Sequence, residues 1–410
     1  PWHRFGLILA VWAKAVPRHR TPRRRSSLTL LMLPRLLYVG DVPVEASYHG
    51  SALLHRLLSD YPHDRLTVIE TATESDPARR LPSVNYISHR IGNTRWLNTR
   101  FHPYVVAWFT QAGERHAPKI LQSVNGRRFE SVLTVAHGFG WLAAANIASK
   151  REVPLHLIVH DDWPRAADIA PSRRKWLDDR FARVYRQAQS RLCVSPSMSR
   201  FYEERYGEPA QVIYPSRSAD CPDFDAPPAQ NDKPFTIAFA GTINSNGYIE
   251  ALTALQNALK PVNGRLLIFG PNQFGLDDPN TENRGLISSA QLVTQLREEA
   301  HALFAPMSFD ASDRGNMQMA FPSKLADYTA TGLPLLIYGP SYCSAVVWAR
   351  ENQGVAEVVE DKADLSNAIT RLASDPSHRV ALGQRALAAG REYFTHNRAQ
   401  QLFIRAIKSA

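Results

Sequence analysis

Cysteine is scarce in this chain of 410 residues. The three cysteines, Cys193, Cys221 and Cys343, are far apart and form no Cys-x-x-Cys pair. A low, odd count is typical of a protein in a reducing compartment, and it argues against a disulfide framework and a structural zinc site. The hydrophobic content of 44% and the charged content of 21% are those of an ordinary globular protein.

Long apolar runs are missing as well. The longest uncharged apolar stretches are residues 5–13 and 28–33. Both are shorter than the ~18–20 residues that a membrane-spanning helix needs. The sequence therefore predicts no transmembrane segment.

Two catalytic signatures are absent. The first predicted strand ends at Gly40 and continues Asp-Val-Pro, without the Gly-x-Gly-x-x-Gly turn of dinucleotide-dependent oxidoreductases. No Ser-His-Asp or Cys-His arrangement is recognisable either, so the sequence does not indicate a covalent nucleophile.

Acidic residues are missing from the first 35 positions, which carry eight Lys or Arg. Removing these eight from the total of 48 leaves 40 basic against 38 acidic side chains, although the whole chain has a net charge of +10. A nucleic-acid-binding body needs a dense basic face. The charge distribution therefore argues against a nucleic-acid partner.

Residues 1–34 are predicted to be a basic, disordered extension. Two alternatives stay open: a translation start placed too far upstream, and a basic amphipathic patch that contacts anionic lipid. The Arg-rich stretch before residues 28–33 faintly resembles a twin-arginine export signal, but the apolar run is too short for a signal-peptide core.

Strands and helices alternate after Pro34. Predicted strands cover residues 36–40, 66–70, 84–88, 131–136, 155–159 and 191–195. Predicted helices cover residues 51–61, 104–122, 140–149, 172–189 and 197–206. Such alternation is typical of a parallel sheet covered by helices on both faces.

Residues 215–234 contain five prolines and are predicted to be a linker. The alternation then resumes. Further strands are predicted at 236–240, 264–269, 301–305 and 335–338, with helices at 248–259, 290–299, 323–331, 344–351, 363–373 and 379–408. The fold class is therefore α/β, with Rossmann-like domains at 35–214 and 235–410, and the last helix is free to return to the first domain.

Four predicted strands end in glycine, at Gly40, Gly241, Gly270 and Gly339. Ligands of open parallel sheets bind at the carboxyl ends of the strands. Glycine lets the backbone turn sharply there, and the following helix directs N–H groups and a positive dipole towards anions. Two such domains facing each other predict an anion-binding cleft.

The segment 321–334 reads Phe-Pro-Ser-Lys-Leu-Ala-Asp-Tyr-Thr-Ala-Thr-Gly-Leu-Pro. It resembles the nucleotide-sugar segment of retaining GT-B glycosyltransferases of the family 4 type. Residues 239–243 resemble the first strand and glycine turn of their second domain. Residues 157–164 and 191–198 resemble segments of their first domain. The resemblance extends in order over residues 36–400 and implies two Rossmann-like domains that face each other across a cleft.

The resemblance also implies donor-binding residues. Asp327 would accept hydrogen bonds from the ribose hydroxyls, as an ionised carboxylate does well. Ser323 and Lys324 open the same helix and would meet the diphosphate. Gly241 and Thr242 match the turn that approaches the phosphates, and Gly270 ends the neighbouring strand. Asp327 and Lys324 could instead be solvated residues of a helix surface.

In the first domain, Gly50 and Ser51 match the start of the helix that closes over the donor. His137 lies just past a strand, where the family often keeps a histidine near the reacting sugar, so it is the candidate catalytic residue. A structural histidine is the equally weighted alternative. His160 and Asp161 end the next strand and are predicted to line the acceptor side.

Two positions depart from the family pattern. Met319 replaces the first Glu of the Glu-x7-Glu pattern, and Asn246 lies where a phosphate-binding Lys is common. Lys324 or Arg314 is expected to compensate for the missing charge. An inactive relative is the alternative.

The resemblance implies transfer of a sugar from a nucleotide-diphosphate sugar to a hydroxyl, with retention and without a bound metal or other cofactor. Pre-aimed N–H groups and Lys324 would stabilise the leaving diphosphate. The rival functions are a GT-B-fold epimerase and a non-catalytic nucleotide-sugar-binding protein.

The expected acceptor is a glycan or a lipid-linked glycan, with the protein cytoplasmic, at the inner face of the membrane. Residues 172–189 form a basic helix in which Trp176 and Phe181 are interleaved, a pattern that suits an interfacial helix. An ordinary solvated basic face fits the same pattern.

Overall fold

The computed structural model describes residues 33–408, apart from 48, 73, 125, 230–232, 244, 272–275 and 277. Residues 1–32 of the predicted extension lie outside the described part. Leu33 and Pro34 belong to the folded body. Leu33 is fully buried, and the carbonyl of Pro34 accepts a hydrogen bond of 2.5 Å from the Tyr61 hydroxyl.

The N-terminal half is built on a seven-stranded parallel sheet of order β3-β2-β1-β4-β5-β6-β7. Its strands are β1 Leu36–Gly40, β2 Leu66–Glu70, β3 Asn85–Ser88, β4 Ser131–Val135, β5 Leu155–Val159, β6 Ser190–Cys193 and β7 Gln211–Val212. Its helices are α1 His49–Leu58, α2 His102–Ser123, α3 Gly140–Arg151, α4 Trp163–Ala166, α5 Pro171–Gln187 and α6 Pro196–Tyr206. Strands β1, β4 and β5 are buried along their whole length because helices cover both faces.

The C-terminal half has a six-stranded parallel sheet of order β10-β9-β8-β11-β12-β13. The strands are β8 Thr236–Ala240, β9 Arg265–Phe269, β10 Thr281–Gly285, β11 Ala302–Pro306, β12 Leu335–Tyr338 and β13 Ala356–Val359. The helices are α7 Asn246–Leu259, α8 Ser289–Glu299, α9 Arg314–Met319, α10 Lys324–Thr331, α11 Ser344–Glu351, α12 Leu365–Ser374, α13 Pro376–Tyr393 and α14 His396–Lys408.

These two sheets confirm the predicted α/β class. The sequence pattern missed three of the four edge strands, β7, β10 and β13, and the short helices α4 and α9. Strand β10 has the polar sequence Thr-Glu-Asn-Arg-Gly and is only half-buried, so it carries no apolar signal. Edge strands have one neighbour each, and they are held by backbone hydrogen bonds more than by apolar packing.

The closing helix expected over residues 379–408 is interrupted. Helix α13 ends at Tyr393 and α14 begins at His396, around the fully buried Phe394. The break turns the chain back towards the N-terminal half. There the Gln400 side-chain amide donates to the carbonyl oxygens of Arg56, at 2.6 Å, and Leu57, at 3.0 Å, at the end of α1.

The proline-rich segment 215–234 packs against the C-terminal half where it is described. Arg217 is buried, and its guanidinium donates to the carbonyl of Ala326 at 3.1 Å and to the hydroxyl of Thr329 at 3.3 Å, both on α10. Further along, Arg391 of α13 pairs with Asp223 at 3.1 Å. This segment is therefore fixed to the helix that carries Lys324 and Asp327.

The carboxyl edges of the two sheets face each other across a cleft. Ser195 follows β6, and its hydroxyl donates a 2.5 Å hydrogen bond to the carbonyl of Met319, which ends α9 after β11. The strand order reverses between β1 and β4 and between β8 and β11. Ligand crevices form at such reversals, so both point into the same cleft.

Candidate functional site

Lys324 is the first residue of α10, and its ammonium lies in an aromatic corner. Its Nζ is 4.2 Å from the centroid of the Phe239 ring and 4.9 Å from that of Tyr248. Burial lowers the pKa of Lys324 to about 7. Within the described part of the chain, no acidic side chain forms an ion pair with it. Such a cation is a ready site for an anionic group.

Gly241 and Gly270 form the adjoining wall of this corner. Gly241 has a φ of 149°, which glycine adopts far more readily than other residues. A Cβ on Gly241 would lie 3.5 Å from Lys324 Nζ, and one on Gly270 would overlap the carbonyl of Gly241. The two turns therefore approach each other closely beside the ammonium. Gly241 borders the ammonium directly. Position 270 requires a glycine because a side chain there would collide with the Gly241 carbonyl.

Asp327 lies one turn further along α10 than Lys324. Burial raises the pKa of its carboxyl group, while the nearby charges of Arg56 on α1 and Arg217 act in the opposite direction. Neither arginine was identified from the sequence, because both come from parts of the chain remote from the 321–334 segment. Asp327 is thus a half-buried acceptor between the two halves.

The remaining predicted donor residues are placed less distinctively. Ser323 precedes α10 and is exposed, without a side-chain capping bond. Thr242 is half-buried next to Gly241. Together with Lys324, they surround the amino-terminal end of α10.

The two departures from the family pattern, and Arg314 as the alternative compensating cation, have distinct positions. Met319 is buried, and its carbonyl accepts the Ser195 hydrogen bond. Asn246 is the exposed first residue of α7. Arg314 is exposed, 4.6 Å from the centroid of the Tyr342 ring, whereas the Lys324 ammonium is enclosed. Lys324 is therefore the better candidate for the missing positive charge.

On the opposite side of the cleft, His137 follows β4 at the strand-order reversal. Its imidazole packs against the Trp163 indole, with a centroid distance of 4.5 Å and the two ring planes tilted by 45°. The carboxylate of Asp41 lies near enough to interact with His137 electrostatically. The ring is half-buried and is held in place by an aromatic neighbour.

Asp41 is a residue that the sequence pattern did not single out. It follows β1, and its carboxylate accepts hydrogen bonds from the backbone N–H groups of Phe139, at 2.6 Å, and Gly140, at 2.9 Å, and from the Thr71 hydroxyl. Burial nevertheless raises its pKa. The first N–H groups of α3 are therefore already occupied by Asp41.

His160 follows β5 and packs against the start of α1. A Cβ on Gly50 would lie only 2.8 Å from His160 Nδ1, so glycine at position 50 leaves room for the imidazole ring. Burial lowers the pKa of His160 to about 4, which keeps it neutral at physiological pH. Its Nε2 is buried and has no hydrogen-bond partner among the described residues. Ser51 is buried in the same helix, and Asp161 is half-buried beside His160.

Most buried carboxylates at this edge are engaged in structural contacts. Asp162 accepts a 2.9 Å hydrogen bond from the Tyr202 hydroxyl and pairs with Arg165. Glu70 accepts one of 2.8 Å from the Ser75 backbone and pairs with Arg80 at 2.9 Å. These groups stabilise the loops and are not free for acid–base chemistry.

Helix α5 lacks the apolar outer face expected of an interfacial helix. Phe181 is fully buried among the N-terminal aromatics, and Trp176 is half-buried. Arg180 pairs with Glu114 at 2.7 Å, and Lys175 pairs with Asp179 at 2.8 Å. The structure therefore favours the solvated basic face.

The described residues include neither a metal-binding cluster nor a membrane-spanning helix. They contain no group of three or more His, Cys, Asp or Glu side chains placed to hold a metal ion. No helix in this part of the chain is both long and apolar enough to cross a membrane.

Known proteins resemble this chain in structure. At the level of sequence, no protein-family model and no curated protein matches it. Sucrose-phosphate synthase of Thermosynechococcus elongatus superposes with a TM-score of 0.63 at 13% identity, covering 90% of this chain and 96% of that one. HepE of Anabaena, in complex with UDP and glucose, gives 0.63 at 12% identity, covering 92% and 100%.

A third structural neighbour is the UDP-forming α,α-trehalose-phosphate synthase of Burkholderia xenovorans in complex with glucose-6-phosphate. It has a TM-score of 0.63 at 10% identity and covers 91% of this chain and all of that one. These neighbours are GT-B glycosyltransferases. The resemblance covers both sheets and nearly the whole described chain, so this protein has the GT-B fold.

Proposed function

We propose that this protein is a glycosyltransferase that moves a sugar from a nucleotide-diphosphate sugar to a glycan or lipid-linked acceptor hydroxyl, with retention. The observation that carries the proposal is Lys324. A cation enclosed by Phe239 and Tyr248, without an ion pair in the described chain, is stabilised when a diphosphate binds. The likeness to structures that contain UDP or UDP-glucose supports the same ligand class.

In this proposal α10 binds the donor. The diphosphate lies at its amino-terminal end, against Lys324 and the backbone at Gly241 and Thr242, with Ser323 contributing an N–H group. Asp327, one turn on, accepts hydrogen bonds from the ribose hydroxyls. Lys324 also takes the role of the basic residue missing at Asn246, and no metal or other cofactor is required.

The leaving diphosphate gains negative charge as the bond to the sugar breaks. Lys324 and the N–H groups of α10 are already oriented towards that position, so they stabilise the transition state without reorganisation. His137, held by Trp163 and close to Asp41, positions the sugar. Neutral His160 and Asp161 line the acceptor side, and Gly50 and Ser51 form the helix start that closes over the donor.

The epimerase alternative is less well supported. An epimerase needs free carboxyl groups near the sugar, whereas Asp41, Glu70 and Asp162 have structural partners. A non-catalytic binding protein would keep the Lys324 site but not turn the donor over. We further propose that the protein works in the cytoplasm, at the inner face of the membrane, in polysaccharide biosynthesis with a hexosyl donor.

The test is a thermal-shift panel of UDP-, GDP-, dTDP- and ADP-sugars with the full chain. A donor at about 100 times its dissociation constant should stabilise the fold by roughly 2.7 kcal/mol. The donor that shifts the melting temperature is then incubated alone. An isomerised sugar would identify an epimerase, and no shift with any donor would contradict the proposal.

A further inference from the structure

Exposed aromatic side chains are concentrated in one place. Among the described residues, four of the five large exposed apolar side chains lie between positions 96 and 108: Trp96 at 55% exposure, Phe101 at 51%, Tyr104 at 64% and Trp108 at 59%. Single exposed hydrophobic residues are ordinary, whereas a contiguous group marks an interaction surface. We call these four residues the aromatic surface.

The four side chains belong to one local structure. Tyr104 and Trp108 are four residues apart on α2 and therefore lie on the same face of the helix. Trp96 belongs to the 3₁₀ turn Thr94–Asn98, which is tied to the start of α2 by a 2.6 Å hydrogen bond between the His102 ring and the carbonyl of Leu97. Phe101 lies between the two elements.

The same face of α2 becomes basic further along. From Trp108, exposed residues follow at helical spacing: Gln111, Arg115 and Lys119. The opposite face is buried and includes Val106 and Phe109. The aromatic surface is therefore the outer face of a helix whose inner face already belongs to the core.

The segment that carries the aromatic surface has an excess of positive charge, although Glu74 pairs with Arg90 and Asp168 lies 3.6 Å from His102. Residues 90–119 contain five Lys or Arg and one acid, Glu114, whose carboxylate is held by Arg180 at 2.7 Å. The guanidinium of Arg100 lies 4.9 Å from the centroid of the Phe101 ring. Tryptophan and tyrosine flanked by Arg and Lys favour the headgroup region of an anionic bilayer, where the rings enter the interface and the cations meet phosphates.

The topology places the aromatic surface beside the cleft. Helix α2 follows β3, so it begins at the carboxyl edge of the parallel sheet, the edge where His137 and His160 lie. Its start is also tied there: the carbonyl of Pro103 accepts a 3.3 Å hydrogen bond from the backbone of Ala170, in the segment that follows β5.

We propose that the aromatic surface docks on an anionic lipid bilayer. Docking would bring the acceptor side of the cleft against the membrane. The interaction requires neither donor nor catalysis, but it deepens the proposed function by naming the surface for the membrane location that the function includes. The preference for a lipid-linked acceptor also rests on that function.

The test is flotation of the full chain with vesicles of phosphatidylcholine alone and of phosphatidylcholine with phosphatidylglycerol in equal amounts. We expect binding to the mixed vesicles, together with quenching of tryptophan fluorescence by brominated acyl chains. The variant with Trp96→Ser, Phe101→Ser, Tyr104→Ser and Trp108→Ser should bind at least about tenfold more weakly. All four side chains are exposed, so the fold should survive, which its melting curve checks.

A matched control removes charge elsewhere: Arg173→Ser, Lys175→Ser and Arg183→Ser change exposed residues of α5 and should leave binding nearly unchanged. The proposal is overturned if the aromatic variant floats like the parent chain, since binding would then come from another segment such as the basic residues 1–35. It is equally overturned if the parent chain ignores anionic vesicles but forms dimers that the aromatic variant abolishes. Neither result bears on the nucleotide-sugar panel.

Discussion

Lys324 and Asp327 lie one turn apart on α10, and burial shifts their pKa values in opposite directions. The pKa of Lys324 falls to about 7, and that of Asp327 rises above its ordinary value. In both cases burial disfavours the charged form. A ligand that brings an anion to the ammonium and hydroxyl donors to the carboxylate would stabilise the charged form of both groups, and a nucleoside diphosphate carries both features.

Replacing the cation tests this relationship directly. Lys324→Met should lose most nucleotide-sugar affinity, by about 10- to 100-fold, because a charge-assisted contact of roughly 1.5–3 kcal/mol disappears. The ligand-free variant should be more stable by about 1–3 kcal/mol, because an uncompensated buried cation is removed. Calorimetric titration measures the first effect and denaturant unfolding the second.

Lys362→Met is the matched control. Its ammonium also faces an aromatic ring, 5.2 Å from the centroid of Phe309, but the side chain is exposed and pairs with Glu250. Donor affinity and stability should change little. If both variants behave alike, the diphosphate site is not at Lys324.

Donor affinity should depend on pH. Lys324 is protonated below its pKa of about 7, and the proposed diphosphate site requires that form. Affinity is therefore highest below pH 7 and falls by up to about tenfold per pH unit above it. The fall ends when the pH passes the pKa of Lys324 in the complex, which the bound diphosphate raises. Titrations from pH 6 to pH 9 measure the slope.

Lys324→Arg provides the comparison for the pH series, because an arginine keeps its proton throughout this range. Its affinity profile should be flat above pH 7. A parent profile that is equally flat would show that another group sets the charge. The stability gain of Lys324→Met should follow the same trend as the parent's donor affinity: largest below pH 7 and diminishing as pH rises, because the folded chain then releases the lysine proton before the unfolded chain does.

The role of Asp327 is tested with the ligand as well as the protein. Asp327→Asn should weaken binding of the nucleoside diphosphate identified by the panel by about 10- to 100-fold, because the ionised acceptor for the ribose hydroxyls is lost. Binding of its 2′,3′-dideoxy analogue should be the same in parent and variant. Asp364→Asn, at an exposed position of the same half, is the control. An equal loss for both ligands would indicate a structural role.

His137→Ala should reduce the transfer rate by about 100-fold or more while donor affinity stays within about threefold, because the contact proposed for His137 is with the reacting sugar and not with the nucleotide. Single-turnover kinetics with the identified donor and acceptor separate the two quantities. His116→Ala, a histidine of α2 whose Nδ1 lies 3.0 Å from His89 Nε2, should retain the parent rate. Full transfer by His137→Ala would leave a packing role against Trp163.

The anchoring of α10 can be tested without ligand. A Cβ on Gly390 would overlap the Arg217 guanidinium and lie 2.7 Å from the Thr329 hydroxyl. Gly390→Ala should therefore reduce the free energy of unfolding by about 2–4 kcal/mol, because the added methyl group displaces the buried Arg217 guanidinium from its hydrogen bonds to α10. Gly315→Ala, on α9 with nothing within 4 Å, should be neutral or slightly stabilising. Urea denaturation compares the two.

Much of the fold was accessible from the sequence because it is encoded locally. The apolar runs 36–40, 155–159, 236–240 and 335–338 coincide with observed strands. The predictions failed where local pattern is weak. Strand β10 is polar, and the break at Phe394 depends on a ring buried against Tyr214 and Trp348 rather than on a helix-breaking residue.

The candidate site was only partly predictable. The segment 321–334 identified Lys324 and Asp327, and the strand ends identified Gly241, His137 and His160. The sequence could not indicate that Arg56 and Arg217 flank Asp327, that Asp41 occupies the start of α3, or that Gly50 makes room for His160. The roles of Lys324, Asp327, Gly241, His137 and His160 in the site stay predictions.

The sequence by itself determined that this chain forms two α/β halves, each built on a parallel sheet. It also determined that a helix begins within residues 321–334 and carries a lysine and an acid one turn apart. Both features depend on strand runs, glycine turns and helix periodicity, which act between near neighbours in the sequence. Only the tertiary structure decided which side chains are enclosed and which exposed. Phe239 and Tyr248 enclose the Lys324 ammonium, which has no ion pair among the described residues. The packing of α5 buries Phe181, and the packing of α2 leaves Trp108 exposed. Burial depends on contacts between distant segments, and it is burial that sets the charge and chemistry of these groups.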